Sequence, residues 1–170
     1  MSQPLSRPVV VAFGSDLGDR RAAILAAARD VGLLLSAFTL SPLIETMPVG
    51  AGLERDPLYL NAVGVGLSAE SPRALLTALL AIEHAAGRTR PYPNAPRVID
   101  LDLILAGDDV IDVPSLRVPH PRFRERQFVL EPLAMIAPDL VDPVTGLSVD
   151  ALWRRLQEST GSAIDPTKKG

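Results

Sequence analysis

Asp100 and Asp102 are the residues with the clearest chemical content, and they stand in the stretch from Arg97 to Leu105. A β-strand alternates its side chains between two faces. Read as a strand, this stretch puts Leu101, Leu103 and Leu105 on one face and Asp100, Asp102 and Ile104 on the other. Burying two like charges without a partner is costly. A cation is the usual remedy: Mg²⁺ takes oxygen ligands and is commonly held by one or two carboxylates together with phosphate oxygens. Arg97, three residues before the pair, is a ready phosphate contact. Taken alone, the stretch equally suits an edge strand whose aspartates face water and block aggregation.

Further candidates surround this pair. Arg88, Arg90, Arg97, Arg117, Arg122, Arg124 and Arg126 fall in one region, while the only lysines are Lys168 and Lys169. Such a cluster favours bidentate contacts to phosphate or carboxylate, although any one member alone is an ordinary ion-pair partner. His120 stands between Pro119 and Pro121 and is held rigidly. Beside arginines it suits donation to a phosphoryl oxygen, or equally a structural hydrogen bond. Asn61 interrupts a strand-like run where its propensity is poor. Its amide offers a donor and an acceptor to a flat heterocycle, or satisfies nearby backbone. Glu83 lies near a helix C-terminus, which disfavours a carboxylate and hints at a cationic neighbour. His84 reads as an ordinary helix residue.

These side chains need elements to position them. Val9 to Phe13 is a short β-branched run and reads as a buried strand. The turn Gly14-Ser15-Asp16-Leu17-Gly18-Asp19 follows, with Asp19 as N-cap of a helix from Arg20 to about Leu33. Ile24, Leu25, Ala28, Val31 and Leu34 recur there at helical spacing. Phe38 to Glu45 predicts a second strand and Tyr59 to Leu67 a third, with Tyr59, Asn61 and Val63 on one face. Ser71-Pro72 starts a helix that ends at Gly87, with Leu75, Leu79, Ile82 and Ala86 as its stripe. Gly87 to Pro96 reads as an arginine-bearing, mobile loop. Gly107-Asp108-Asp109 turns the central strand back. Gln127 to Ile136 and Ala151 to Gln157 predict two more helices, and Gly161 onward a flexible tail. No Gly-x-x-x-x-Gly-Lys-Ser/Thr or Gly-x-Gly-x-x-Gly is present, which argues against P-loop and Rossmann sites.

The order of elements predicts a single α+β domain: a ferredoxin-like sandwich with a mainly antiparallel sheet and helices on one face. The 170 residues suit one domain, with an ordered core over about 9–157. At 47% hydrophobic residues a full core forms readily. Cysteine is absent, so disulfides and thiolate chemistry are excluded. The net charge of −3 argues against broad nucleic-acid binding. No apolar run approaches the roughly 18 residues of a membrane span, and no secretory signal is evident. A cytoplasmic monomer with small-molecule partners is the expectation.

Five stretches in series resemble one family. They are Gly14 to Arg20; Glu45 to Gly50 with Tyr59 to Val63; Glu83 with Gly87-Arg88-Thr89-Arg90; Ala95 to Leu103; and Val118 to Arg122 with Arg126 and Phe128-Val129-Leu130. The family is 6-hydroxymethyl-7,8-dihydropterin pyrophosphokinase of folate biosynthesis, and the resemblance spans about Val9 to Ala151. It implies transfer of pyrophosphate from ATP to the pterin hydroxymethyl group, with two Mg²⁺ ions on Asp100 and Asp102. By the resemblance, the catalytic residues are Arg88, Arg90, Arg97, Asp100 and Asp102. Glu83, Arg88, Arg97, Leu103, Leu116, Arg117, His120 and Arg126 would serve ATP, with Arg90 beside them on the loop. Thr46, Met47, Val49, Tyr59, Asn61, Asp100 and Phe128 would serve the pterin, Tyr59 and Phe128 by stacking. Two positions depart from the family: Asp16 where it usually has Asn, and Asn94 where it has an aromatic, with Tyr92 nearby.

Overall fold

The structure, a computed structural model, describes residues 5–46, 59–87 and 98–164, the last four of these by backbone only. The apolar run forms β1 (Arg7–Ser15), and α1 (Arg20–Leu34) follows the Gly turn. Asp19 caps α1 as expected, its side chain accepting from the Ala22 N–H at 3.0 Å. Next come β2 (Ser36–Leu40), β3 (Ile44–Thr46) and β4 (Tyr59–Ser68). Ser71 caps α2 (Pro72–Ala86) by accepting from the Ala74 N–H at 3.1 Å, and Pro72 takes a first-turn position where its missing N–H costs nothing. The second half holds β5 (Asp100–Ala106), β6 (Ile111–Val113), β7 (Leu116–Val118), a 3₁₀ turn (Phe123–Glu125), α3 (Gln127–Ile136) and α4 (Val149–Ile164).

The main sheet has the order β2-β4-β1-β5, β3 also pairs with β4, and all of these pairings are antiparallel. β1 and β2 therefore run parallel with β4 between them, joined by α1. β4 and β5 likewise flank β1, joined by α2. These two interleaved split β-α-β units are the ferredoxin-like arrangement.

Four sequence expectations change. The strand expected from Phe38 to Glu45 is two strands. Between them, the buried Ser41 donates its N–H to the Val63 carbonyl at 2.8 Å and accepts the Val63 N–H on Oγ at 2.9 Å. Pro42, which follows, has no N–H for a ladder. Helices cover both faces rather than one. Val9, Val11, Phe13, Leu101 and Leu103 pack under α1 and α2 against Ile24, Val31, Leu75 and Leu79. Val10, Val63, Ile104 and Leu105 pack under α3 and α4 against Val129, Leu130, Leu133 and Leu152. Finally, α4 starts before Ala151 and runs past Gly161 to Ile164.

The leucine stripe is also broken. A β-bulge shifts the register so that Val11 faces Leu103 while Val10 faces Leu105, with Ile104 between. Leu105 thus turns to the second face, against the expectation that it lines up with Leu101 and Leu103. A bulge does this because one extra residue reverses the alternation beyond it. The Ile104 carbonyl is taken up by the His120 N–H at 2.9 Å.

Candidate active site

The second face is apolar at one end only. Along the other end the rows across the sheet are Asn61–Gly14–Asp100 and Val63–Ala12–Asp102. Gly14 and Ala12 project little from the middle strand, so space remains between the amide and the two carboxylates. A Cβ on Gly14 would lie 3.4 Å from Asn61 Oδ1, so glycine keeps this floor low. α3 begins beside the gap and roofs it with Phe128.

The result is a cavity of about 620 Å³, lined by Ala12, Phe13, Gly14, Glu45, Thr46, Tyr59, Asn61, Asp100, Asp102, Arg126, Gln127 and Phe128. Its size and mixed lining suit a small flat molecule. Asn61 is buried at 6% exposure, and its Nδ2 donates to Thr46 Oγ1 at 2.7 Å. That bond orients the amide. The Arg126 guanidinium lies 5.5 Å over the Phe128 ring and 3.7 Å from Asp102 Oδ2. It is thereby placed between an aromatic wall and the carboxylates.

A second cavity, of about 270 Å³, opens along the outer edge of β5. Leu76, Leu101, Leu103 and Leu116 give it an apolar slot, with Ser115, Arg117 and His120 among its polar lining. Asp102 lines both cavities. Glu83 of α2 accepts the outward Leu101 N–H at 2.7 Å, which holds β5 between its two aspartates. Ser15, buried at the end of β1, donates to the Val98 carbonyl at 2.6 Å and fixes the approach to Asp100.

His120 sits at the mouth of the second cavity with its protonation state set by its surroundings. Its Nδ1 accepts the Arg122 N–H at 3.2 Å, so a neutral ring carries its proton on Nε2. Burial holds the imidazole below its ordinary value of 6.5; the nearby Asp102 opposes this, and Arg126 and Arg122 reinforce it. The ring is therefore a neutral Nε2–H donor near pH 7.

The arginine cluster divides by role. Arg126 joins the first cavity and Arg117 the second, where it also lies 3.3 Å from Asp112. Arg122 is exposed, 3.9 Å from Glu125. Arg124 forms a bidentate pair with Asp142, at 2.6 Å and 2.9 Å. Arg88, Arg90 and Arg97, with Met47, Val49, Tyr92 and Asn94, lie outside the described residues. The structure thus brings Thr46, Tyr59, Asn61, Asp100, Asp102, Arg126 and Phe128 together, and Leu103, Leu116, Arg117 and His120 across the Asp102 wall from them.

Sequence reading missed Ala12, Glu45 and Gln127 as lining residues and Ser15 as an anchor. Ser15 and Glu45 stand within two of the five stretches, yet nothing local assigns them these roles, and Ala12 and Gln127 belong to no stretch. Only the strand register, which sets Ala12 against Asp102 and Gly14 against Asp100, reveals why small residues belong there.

Among the described residues no group of three His, Cys, Asp or Glu side chains is assembled for a metal. The Asp100–Asp102 pair fits Mg²⁺ nonetheless, because that ion takes few protein carboxylates and completes its octahedron with water and phosphate oxygens.

The profile of the 7,8-dihydro-6-hydroxymethylpterin-pyrophosphokinase (HPPK) family matches residues 10–138. A Pseudomonas aeruginosa 2-amino-4-hydroxy-6-hydroxymethyldihydropteridine pyrophosphokinase is 40% identical over 141 residues, covering 78% of this chain and 82% of that protein. The Pneumocystis carinii folic acid synthesis protein is 38% identical over 149 residues, 87% of this chain but 20% of its own length. The crystal structure of wild-type Plasmodium falciparum HPPK-DHPS superposes with a TM-score of 0.72 over 94% of this chain and 46% of that one, at 13% identity, a likeness of fold alone. This chain thus spans about a fifth of the fungal protein and just under half of the Plasmodium one. Motifs in series, two cavities meeting at Asp102 and these matches agree: the chain belongs to the 7,8-dihydro-6-hydroxymethylpterin-pyrophosphokinase family.

Proposed function

We propose that the chain transfers the terminal pyrophosphoryl group of ATP to the hydroxymethyl oxygen of 6-hydroxymethyl-7,8-dihydropterin, releasing AMP. The observation that carries this reading is the shared wall. Asp102 borders both a cavity with aromatic and amide lining and an apolar slot with cationic groups beside it. A pterin in the first and a nucleotide base in the second would place the triphosphate across β5.

The pterin stacks between Tyr59 and Phe128, and the Asn61 amide, oriented by Thr46, reads the ring edge. A pocket that pairs several ring donors and acceptors rejects analogues that lack them. The base lies against Leu103 and Leu116 with Arg117 beside it, on the side of β5 braced by Glu83. Arg126 and the neutral His120 Nε2–H reach phosphate oxygens. Arg88, Arg90 and Arg97 complete the triphosphate site by family resemblance, and Met47 and Val49 the pterin pocket. The hydroxymethyl oxygen bonds to the β-phosphorus as the bond from that phosphorus to the oxygen of the α-phosphate breaks. The hydroxyl proton is released and AMP departs. Two Mg²⁺ ions held by Asp100 and Asp102 would neutralise charge on the transferring group. The residues of the chain supply position and electrostatics, which phosphoryl transfer chiefly needs.

A cytoplasmic monomer is the simplest setting. No described helix is long and apolar enough to cross a membrane. Incubation with Mg-ATP and the pterin, followed by identification of the nucleotide product, tests the reading. AMP formed only in the presence of the pterin is expected. ADP, or a rate independent of pterin, sinks it.

A further inference from the structure

Asp142 lies in the loop between α3 and α4, has no exposed surface and takes no part in either cavity. Its carboxylate is fully occupied. Arg124 donates Nε and Nη2 to it, the Thr145 hydroxyl donates at 2.7 Å, and the Val144 N–H donates at 3.1 Å. The loop around it is closed on itself: the Asp142 N–H donates to the Leu147 carbonyl and its own carbonyl accepts the Gly146 N–H, each at 2.8 Å. The pair is therefore anchored in a rigid frame at the Asp142 end.

At the other end is the 3₁₀ turn. Arg124 lies in it, with its guanidinium 4.7 Å over the ring of Phe123, which is itself fully buried. The turn's neighbours are the residues assigned to phosphate. The Phe123 N–H donates to the His120 carbonyl at 3.4 Å, and the Arg126 N–H donates to the Phe123 carbonyl at 3.2 Å. The backbone that presents His120 and Arg126 is thus tied on both sides to Phe123, the buried residue on which the Arg124 guanidinium rests. Arg126 then opens α3 and carries its guanidinium to Asp102.

We propose that the Asp142–Arg124 pair is a positioning device for the phosphate site, holding the 3₁₀ turn so that Arg126 stays aligned over Phe128 and toward Asp102. This rests on the reading that Arg126 contacts the triphosphate. Asp142 and Arg124 are positioning residues and touch no substrate. A solvated ion pair at this spot would leave the turn free to roll; a buried, four-donor carboxylate does not.

The test is a kinetic cycle with Asp142→Asn, Arg126→Ala and the double variant, each checked for folding by circular dichroism and assayed well below its melting temperature. Asp142→Asn keeps the shape and one acceptor but loses the charge. It should raise KM for ATP about tenfold, with KM for the pterin nearly unchanged. In the Arg126→Ala background the same substitution should add little, because the residue it positions is gone. A multiplicative double variant, or unchanged KM for ATP with only a lower Tm, overturns the proposal and makes the pair purely structural. Should Asp142→Asn fail to fold, Thr145→Val removes one of the four donors and keeps the charge pair. It goes through the same cycle: a raised KM for ATP that vanishes in the Arg126→Ala background supports the device, and a multiplicative effect overturns it. A wild-type chain that forms no AMP would instead refute the functional reading. In that event the order of the Arg126 side chain, followed through its Nε–H resonance by NMR, still reports on the device. Broadening of that resonance in the variant is expected, and an unchanged one refutes the positioning role.

Discussion

Asp100 and Asp102 owe their place to the strand that carries them. Both lie on the cavity side of an edge strand, and the apolar residues Leu101 and Leu103 anchor that strand from behind. Asp100→Ala and Asp102→Ala should each cut turnover by orders of magnitude while leaving the melting temperature nearly unchanged. Near-normal AMP formation by either variant refutes the metal role. Asp142 behaves oppositely, since its contribution is to stability as well as position. Burial raises its carboxyl, but the hydrogen bonds from Arg124, Thr145 and Val144 outweigh this and hold it below the ordinary 3.8. A depressed folded-state value means the unfolded chain binds the proton first. The stabilisation is therefore complete above the ordinary carboxylate value and is lost as pH falls through the folded one. The stability difference between wild type and Asp142→Asn should shrink as pH drops from about 5 toward 3, as read by urea unfolding. Arg124→Ala at neutral pH strands a buried charge and should cost about 3–5 kcal/mol.

At the scale of elements, the packing of Phe38 against the sheet depends on glycine at position 64. On Gly64 of β4 a Cβ would meet the Phe38 ring at 2.4 Å, and Phe13 packs on the same spot at 3.1 Å. Gly64→Ala therefore overpacks the interface and should cost about 1–3 kcal/mol in denaturant melts. Gly14→Ala, whose Cβ meets nothing closer than 3.4 Å, should leave stability nearly unchanged. Equal losses for the two variants would show that packing at Gly64 is not the cause. The β5 bulge has a parallel role. It swings Leu105 to the α3–α4 side and presents the Ile104 carbonyl to the His120 N–H, coupling the central strand to the segment that carries His120.

At the scale of the whole molecule, the split β-α-β topology sets β5 at a sheet edge beside β1, so one strand serves two cavities from its face and its outer side. Substitutions in one cavity should then affect one substrate. Tyr59→Ala and Phe128→Ala should each weaken pterin binding about five- to a hundredfold, the worth of a heterocycle stacked on an aromatic side chain. Their affinity for an ATP analogue should be little changed by calorimetry. Equal weakening of both ligands would contradict the assignment of the two cavities.

Local signals were legible without the fold. The alternation of Asp100 and Asp102 with leucines, the Asp19 and Ser71 caps and the proline frame of His120 follow from backbone geometry within a few residues. The motifs in series pointed to the family, and with it to Asp100, Asp102, Asn61, Tyr59 and Phe128. What depends on residues far apart in the chain required tertiary structure. Strand register decided that Gly14 and Ala12 clear the cavity floor, because a pairing partner is set by the whole sheet. The bulge moved Leu105 across it. Arg124 looked like any other member of the arginine cluster, yet its partner, eighteen residues on, made it structural. Sequence by itself determined which residues could do the chemistry; only packing decided which of them face the cleft and which hold it in place.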